Sequence, residues 1–180
     1  MIKPWKTLSS ETIFDTNILT LKKVKRQSAI TGNKGEFYTM DTPDWVNVIA
    51  VTPDDEVVLI RQYRHGIDDI TLEIPGGLVD EGELPGKAAA RELQEETGFT
   101  GDDPISLGYV DANPAIQTNR CYTFLIQNAR LTDAKDLQEH EEIEMETRPL
   151  SGIPEIIRNQ VITHSLVVAG LYRYFLWKND

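Results

Sequence analysis

The chain has 180 residues, with 29 Asp and Glu against 18 Lys and Arg, a formal charge of -11 and an apolar fraction of 40%. These values fit one compact domain with at most a small appendage, and 12 Gly and 9 Pro are too few for a long linker or a disordered tail. They argue against wrapping of nucleic acid, which needs a basic footprint, and no apolar run approaches the roughly 18 residues that cross a bilayer.

A single cysteine, Cys121, excludes an intrachain disulfide framework and suits a reducing cytoplasm. Residues 1–6 are charged early and lack the apolar centre of a signal peptide, so none is expected. Residues 12–26 are rich in β-branched and apolar types and predict two or three short antiparallel strands, broken near Thr31-Gly-Asn-Lys-Gly35. Another strand is expected over residues 35–40, and Thr42-Pro-Asp-Trp45 turns the chain into its main body. Residues 46–51 and 56–61 read as strands joined by the turn Thr52-Pro-Asp-Asp55, together a hairpin.

A shorter strand, Thr71-Leu-Glu-Ile74, runs into Pro75-Gly-Gly77. Residues 84–97 form the first strong helix pattern, with Pro85 near its start, three alanines and Leu93 on the inner face, and Gly98 as its stop. Strands are expected at 105–110, 121–126 and 143–147, a short helix at 154–159, and a long, very apolar and mostly buried helix at 165–177. Cys121 falls in a strand with no Cys-His arrangement around it and reads as core. The fold class is mixed α/β or α+β, in packed layers.

Acid is concentrated in two places. Residues 73–96 hold seven acids against Lys87 and Arg91, and residues 136–146 hold six acids with no Lys or Arg. In the first helix Glu92 and Glu96 stand four apart on one face, and Glu95 is three from Glu92. Like charges at this spacing repel, and they lie towards the C-terminal, electronegative end of the helix. A cation among them relieves both penalties. Mg²⁺ or Mn²⁺, which take oxygen ligands and keep waters and phosphate oxygens, fit that need. The plainer alternative is a solvated acidic face, and residue types alone leave the two open. Arg91 likewise reads either as a salt-bridge support for the carboxylates or as a surface arginine.

Gly77, Glu83, Arg91-Glu-Leu93, Glu95-Glu96 and Gly98-Phe99 occupy nine set positions across 23 residues and resemble the Nudix box without a departure. The resemblance implies a Nudix β-α-β sandwich with a mixed sheet, and divalent-metal hydrolysis of a nucleoside diphosphate linked to another group. It makes Glu92, Glu95 and Glu96 metal ligands, with the carbonyl of Gly76 as a further one. Glu83 and Gly77 would support the loop, and Glu83 also Arg91. Gly76 and Gly77 suit close backbone approach before the helix. An acidic site would reject a diphosphate unless cations bridge the two.

Flanking residues narrow the substrate. Arg61-Gln-Tyr-Arg64, Leu72-Glu-Ile-Pro-Gly-Gly77 and Pro114, 15 residues after Phe99, resemble the ADP-ribose and ADP-sugar pyrophosphatase subgroup. By that resemblance Arg61 and Arg64 would bring guanidinium donors to phosphates or ribose, Glu73 would face the substrate or metal-bound waters, and Pro114 would face the substrate, with a plain loop at Asn113-Pro114 as its alternative. Cross-strand pairing with acids is the alternative for each arginine. Glu139-His-Glu-Glu-Ile-Glu144 resembles the subgroup's catalytic loop, with Glu139 as general base and Glu141 as a further metal ligand, unless an insertion shifts the roles to Glu142 or Glu144; a solvated charge run before a strand is the alternative. His140 reads as surface, and His164 as the cap of the last helix or a satisfied histidine.

The subgroup also implies a small N-terminal antiparallel β-unit over residues 1–44 that joins a homodimer, ahead of a hydrolase domain over residues 45–180. Phe37, Tyr38 and Trp45 are candidates for adenine stacking or dimer contact, with plain packing as the alternative. The expected substrate is a nucleoside diphosphate sugar such as ADP-ribose, cleaved to AMP and a sugar phosphate, with no nucleic-acid or membrane partner. GDP-mannose, another sugar nucleotide or a dinucleoside polyphosphate are alternatives within the family. A non-catalytic nucleotide-sugar sensor is the alternative of another class.

Overall fold

The computed structural model describes residues 1–132, 135–137 and 142–179, and the chain divides into two compact units. The first unit, residues 1–43 with 111–120, is an antiparallel sheet of three strands in the order β1 (Lys6–Asp15), β2 (Thr20–Gln27), β3 (Lys34–Asp41). Ser28 and Asn33 close the β2–β3 turn, where Gly32 adopts φ 73°, a left-handed value that favours glycine. Residues 111–120 return to this sheet through Met40, whose N–H donates to Ile116 O at 2.7 Å. Every residue of β1 is exposed, while Val24 of β2 is buried.

The second unit, residues 44–110 with 121–180, carries the larger core. One mixed sheet has the order β7 (Gly76–Leu78), β4 (Trp45–Ala50), β10 (Arg120–Ile126), β9 (Ile105–Asp111). Its β4–β10 pairing is parallel and its β4–β7 pairing antiparallel. An antiparallel sheet of β12 (Ile143–Pro149), β5 (Glu56–Arg64) and β6 (Asp69–Glu73) accompanies it, and β8 (Phe99–Thr100) pairs with β11 (Arg130–Leu131).

Alternation along β4 serves two cores at once. Val46, Val48 and Ala50 pack with Ala88, Ala89 and Leu93 of helix α1 (Pro85–Thr97). Ile49 and Val51 pack instead with Val167, Leu171 and Tyr174 of helix α3 (Ser165–Lys178), and with Ile153, which opens the short helix α2 (Ile153–Arg158). This layered α/β arrangement matches the fold class expected from the sequence.

Two details differ from expectation. The strands around Thr52–Asp55 do not form a hairpin ladder, because β4 and β5 belong to different sheets and meet in the single bridge Val51↔Val57. Both strands are apolar on both faces, so each is satisfied by separate neighbours, and β4 takes β10 as its partner. Helix α3 is also not mostly buried. Val167, Gly170, Leu171 and Tyr174 face inward at helical spacing, while Tyr172, Leu176 and Trp177 are exposed. Gly170 lets α3 come close to Thr123 and Asn47, since a Cβ there would stand 3.3–3.4 Å from both side chains. No helix among the described residues is long and apolar enough to cross a membrane.

Helix α1 starts with Pro85 and ends on Gly98 at φ 73°, whose N–H donates to Gln94 O. Its inner face fixes where the acidic outer face lies. Leu93 is fully buried there, so Leu93→Ala is expected to lower unfolding free energy by about 2–5 kcal/mol in urea denaturation.

Candidate active site

Helix α1, strand β7 and the tip of β5 enclose a pocket of about 360 Å³ lined by Trp45, Gln62, Arg64, Gly76, Gly77, Leu78, Asp80, Arg91, Glu92, Glu95 and Glu96. Eight of these, Trp45, Arg64, Gly76, Gly77, Arg91, Glu92, Glu95 and Glu96, are candidates from the sequence, and the structure brings them together. Its organising group is Arg91. The Nε–H donates to Glu83 Oε1 at 3.1 Å, and Nη1 to Glu92 Oε1 at 2.9 Å and Glu95 Oε2 at 3.0 Å. Nη2 donates to Leu78 O and Glu83 Oε2, both at 3.0 Å. All five guanidinium N–H groups are therefore engaged, two of them on the fork of Glu83.

The electrostatic consequence follows directly. Helix α1 has no basic residue in its last turn, so its macrodipole opposes the glutamates and the Arg91 charge offsets it. Hydrogen bonds from Arg91 hold the Glu83 carboxyl below its ordinary value of 4.5, against a smaller opposing effect of burial. The guanidinium is in turn held more firmly protonated than usual, first by Glu83 and then, against its own burial, by Glu92 and Glu95.

The two glycines do different things. Gly76 N–H donates to Glu96 Oε2 at 2.9 Å, and a Cβ on Gly76 would meet Val46 O at 2.1 Å. A Cβ on Gly77 would instead fall 2.3–2.6 Å from the carboxylate of Glu92. Gly76 thus permits the β4–β7 pairing, and Gly77 permits Glu92 to lie against the strand. Glu96 is 4% exposed, an unusual burial for a carboxylate.

Strand alternation separates the two arginines of the β5 run. Gln62 and Arg64 share the pocket face, while Arg61, three residues from Arg64, lies on the other and pairs with Glu146 at 3.3 Å. Arg64 forms two parallel hydrogen bonds with Glu73, Nε to Oε1 and Nη2 to Oε2, each 2.8 Å. It lies 5.7 Å from the centre of the Trp45 ring, within cation–π range. Glu73 is 2% exposed and also accepts the Thr71 hydroxyl. Burial works to raise its pKa, but the hydrogen bonds from Arg64 and Thr71 outweigh it and hold the carboxyl below its ordinary value.

Pro114 is exposed in a turn closed by Gln117 N–H on Asn113 O, in the segment grouped with the first unit. Phe37 and Tyr38 are also in that unit, with Phe37 edge-to-face on Trp5. Glu139, His140 and Glu141 lie outside the described residues. Their flanks are described: Asp136 N–H donates to Glu95 O at 2.9 Å, Ile143 pairs with Gln62, and Lys135 Nζ donates to Ile143 O at 3.0 Å. Cys121 is buried and burial pushes its thiol up to about 12, so it is a core residue.

Gln62 and Asp80 are pocket residues that sequence reasoning missed, although the alternation Gln62–Arg64 was visible. His164 was read as a helix cap or a satisfied histidine. It occupies the N-cap position of α3, but its side chain makes no capping hydrogen bond and its buried Nδ1 has no hydrogen-bond partner among the described residues.

Among the described residues no group of three or more His, Cys, Asp or Glu stands as a ready ligand set for a metal. In this geometry Glu92 and Glu95 are engaged by Arg91 and Glu96 by the Gly76 amide. The donor types nonetheless fit a hard divalent cation, since the carboxylates of Glu92, Glu95 and Glu96 and the Gly76 backbone line one pocket, with Arg91 beside them.

The NUDIX domain family matches residues 42–158, so the chain belongs to that family, whose members hydrolyse nucleotide substrates containing a diphosphate. ADP-ribose pyrophosphatase of Bacillus subtilis (strain 168) is 26% identical over 158 residues, covering 87% of this chain and 85% of its own length. The methanol dehydrogenase activator of Bacillus methanolicus is 27% identical over 167 residues, covering 92% of this chain and 90% of its own. A crystal structure of an ADP compounds hydrolase superposes with a TM-score of 0.87 at 23% identity, over 98% of this chain and 95% of that one, which shows the shared fold.

The glycine geometry gives a paired expectation. Gly77→Ala should keep a near wild-type melting temperature and lose at least about tenfold in hydrolysis, because the new methyl meets only the movable end of Glu92. Gly76→Ala should lose stability, by about 1–3 kcal/mol, because its methyl meets backbone. Thermal melts and turnover measured on both variants check the pair.

Proposed function

We propose that the chain hydrolyses the diphosphate bond of ADP-ribose or a related ADP-sugar, giving AMP and a sugar phosphate. The observation that carries this reading is the gathering of Glu92, Glu95 and Glu96, the Gly76–Gly77 backbone and the Arg64 guanidinium around one pocket. The names of the B. subtilis relative and of the superposed structure support the substrate class.

Glu92, Glu95, Glu96 and the carbonyl of Gly76 would hold Mg²⁺, with Mn²⁺ as a substitute, and Glu141 would add a ligand from the acidic loop. Bound there, such ions would polarise the phosphoryl group, favour deprotonation of the attacking water and offset the charge that builds on the leaving phosphate. Glu139 takes the proton from the water as its oxygen bonds to phosphorus and the bridging P–O bond breaks towards the leaving phosphate. That role rests on resemblance; among the described residues Asp136 is tied to Glu95 and Ile143 lies opposite Gln62, both pocket residues. Arg64 donates to the diphosphate or the terminal ribose. Glu83 and Arg91 keep the glutamates in place, and Arg61 serves the β5–β12 pairing more directly than the substrate.

The β1–β3 sheet supports a homodimer reading. Trp5, Leu8, Ile13, Phe14, Phe37 and Tyr38 are all more than 40% exposed, and a sheet with so little core gains stability from a second copy. A buried free thiol and the acidic surface suit a reducing cytoplasm.

A second reading rests on the relative named as a methanol dehydrogenase activator, whose similarity is of the same order. In that reading the chain acts on a dehydrogenase, and the nucleotide it hydrolyses is secondary. A panel of ADP-ribose, ADP-glucose, GDP-mannose and a diadenosine polyphosphate, compared by kcat/KM with Mg²⁺, tests the first reading, and the rate of a methanol dehydrogenase with and without the chain tests the second. The ADP-sugars should lead. Glu96→Gln should lower turnover by at least about 100-fold with the fold intact, and near wild-type turnover at saturating Mg²⁺ would contradict a ligand role for Glu96.

A further inference from the structure

Among the polar groups of the second unit, one stands unexplained beside the site. His164 Nδ1 is buried without a hydrogen-bond partner among the described residues, a condition that costs free energy unless a partner is close. The nearest carboxylate oxygen is Glu73 Oε2, at 3.9 Å. That oxygen has capacity to spare. Glu73 Oε1 accepts two hydrogen bonds, from Arg64 Nε and the Thr71 hydroxyl, whereas Oε2 accepts one, from Arg64 Nη2, among the described residues.

The backbone sets this approach. His164 O accepts the Val168 N–H at 3.0 Å and so opens helix α3, which directs the ring from the helix start towards β6. Ile162 and Val167, both buried, fix the chain on either side.

We infer that His164 is a positioning residue: its Nδ1–H completes the hydrogen-bond shell of Glu73 and thereby fixes how Arg64 presents its remaining donors to the pocket. Arg64 commits Nε and one Nη2 hydrogen to Glu73, and Nη1 has no hydrogen-bond partner among the described residues. The plane of that free edge is decided by where the Glu73 carboxylate sits. Arg64 bonds both oxygens of the carboxylate and Thr71 one of them, while His164 Nδ1 stands 3.9 Å from the other, so a small turn of the ring brings it into hydrogen-bond range. The Trp45 ring borders the guanidinium as well, so carboxylate and ring together leave it little freedom. Burial also favours a neutral His164, against the pull of Glu73, and the neutral ring carries a single proton whose place is chosen by the partner.

This inference rests on the reading of the pocket as a diphosphate nucleotide site, and two measurements keep their outcomes apart. The first needs no substrate. In ¹⁵N-labelled protein at a pH of about 8, where histidine is neutral, His164 should show a protonated Nδ1 and an unprotonated Nε2, and Glu73→Gln should shift the Nδ1 signal. A proton on Nε2, or no response to Glu73→Gln, overturns the contact. The second uses ADP-ribose with Mg²⁺. His164→Leu should raise KM about tenfold with kcat within about twofold, the size expected for one lost hydrogen bond to a charged group. His164→Asn, whose amide can donate from the place of Nδ1, should restore KM. Equal KM values for wild type and His164→Leu overturn the positioning role, as does an Asn variant that behaves like Leu. If wild type shows no turnover of ADP-ribose, the nucleotide reading fails and the ¹⁵N experiment still decides the contact.

Discussion

The structure of the site depends on one charge. Arg91 sits on the same helix as three glutamates that would otherwise repel one another near an electronegative helix end. Its five N–H groups bind Glu83, Glu92, Glu95 and the Leu78 carbonyl, which ties the loop before the helix, strand β7 and the acidic face into one object. A lysine could not do this, since an ammonium has three donors and no fork. With the carboxylates held in this way, the Gly76 amide on Glu96 and the bare Cα of Gly77 beside Glu92 become the close fit that the glycines permit.

A second, smaller ion pair organises the opposite wall. Glu73 is almost fully buried and would be costly if left alone, yet Arg64 bonds both of its oxygens and Thr71 one of them. The same bonds hold Arg64 near Trp45, so that ring has one side taken by a cation and serves the guanidinium before any base. Both walls therefore use a single idea, an arginine fixed by buried or half-buried glutamate, with the two arginines presented to a common pocket.

Much of this was legible in the chain. The spacing of Glu83, Arg91, Glu92, Glu95 and Glu96 carried the helix, its inner face and its acidic outer face, because 3.6-residue periodicity leaves few alternatives over thirteen residues. Gly98 and Pro85 marked the ends for local steric reasons. The hairpin expected around Thr52–Asp55 failed because strand partners are chosen by tertiary packing: the turn residues allowed a hairpin, and β4 found β10 across more than seventy residues. Helix α3 was read as mostly buried from composition alone, whereas its aromatic residues divide between two faces. Arg61 and Arg64 were treated as equivalent, although an odd separation within a strand places them on opposite faces. His164 gave no local signal, since its proximity to Glu73 arises only when α3 is docked. Residues 139–141 lie outside the described residues, and a role for them rests on resemblance alone.

The central claim is that the glutamates of helix α1, Glu92 and Glu95 held by Arg91 and Glu96 by the Gly76 amide, form a divalent-cation site that works with a diphosphate. Electron paramagnetic resonance of Mn²⁺ tests it most directly, by following the loss of the free-ion signal as wild-type protein is added with a non-hydrolysable ADP-ribose analogue. The account predicts tight, stoichiometric uptake by wild type and strongly weakened uptake when Glu92 and Glu96 are both replaced by Gln. Uptake that is the same with and without those two carboxylates would contradict it.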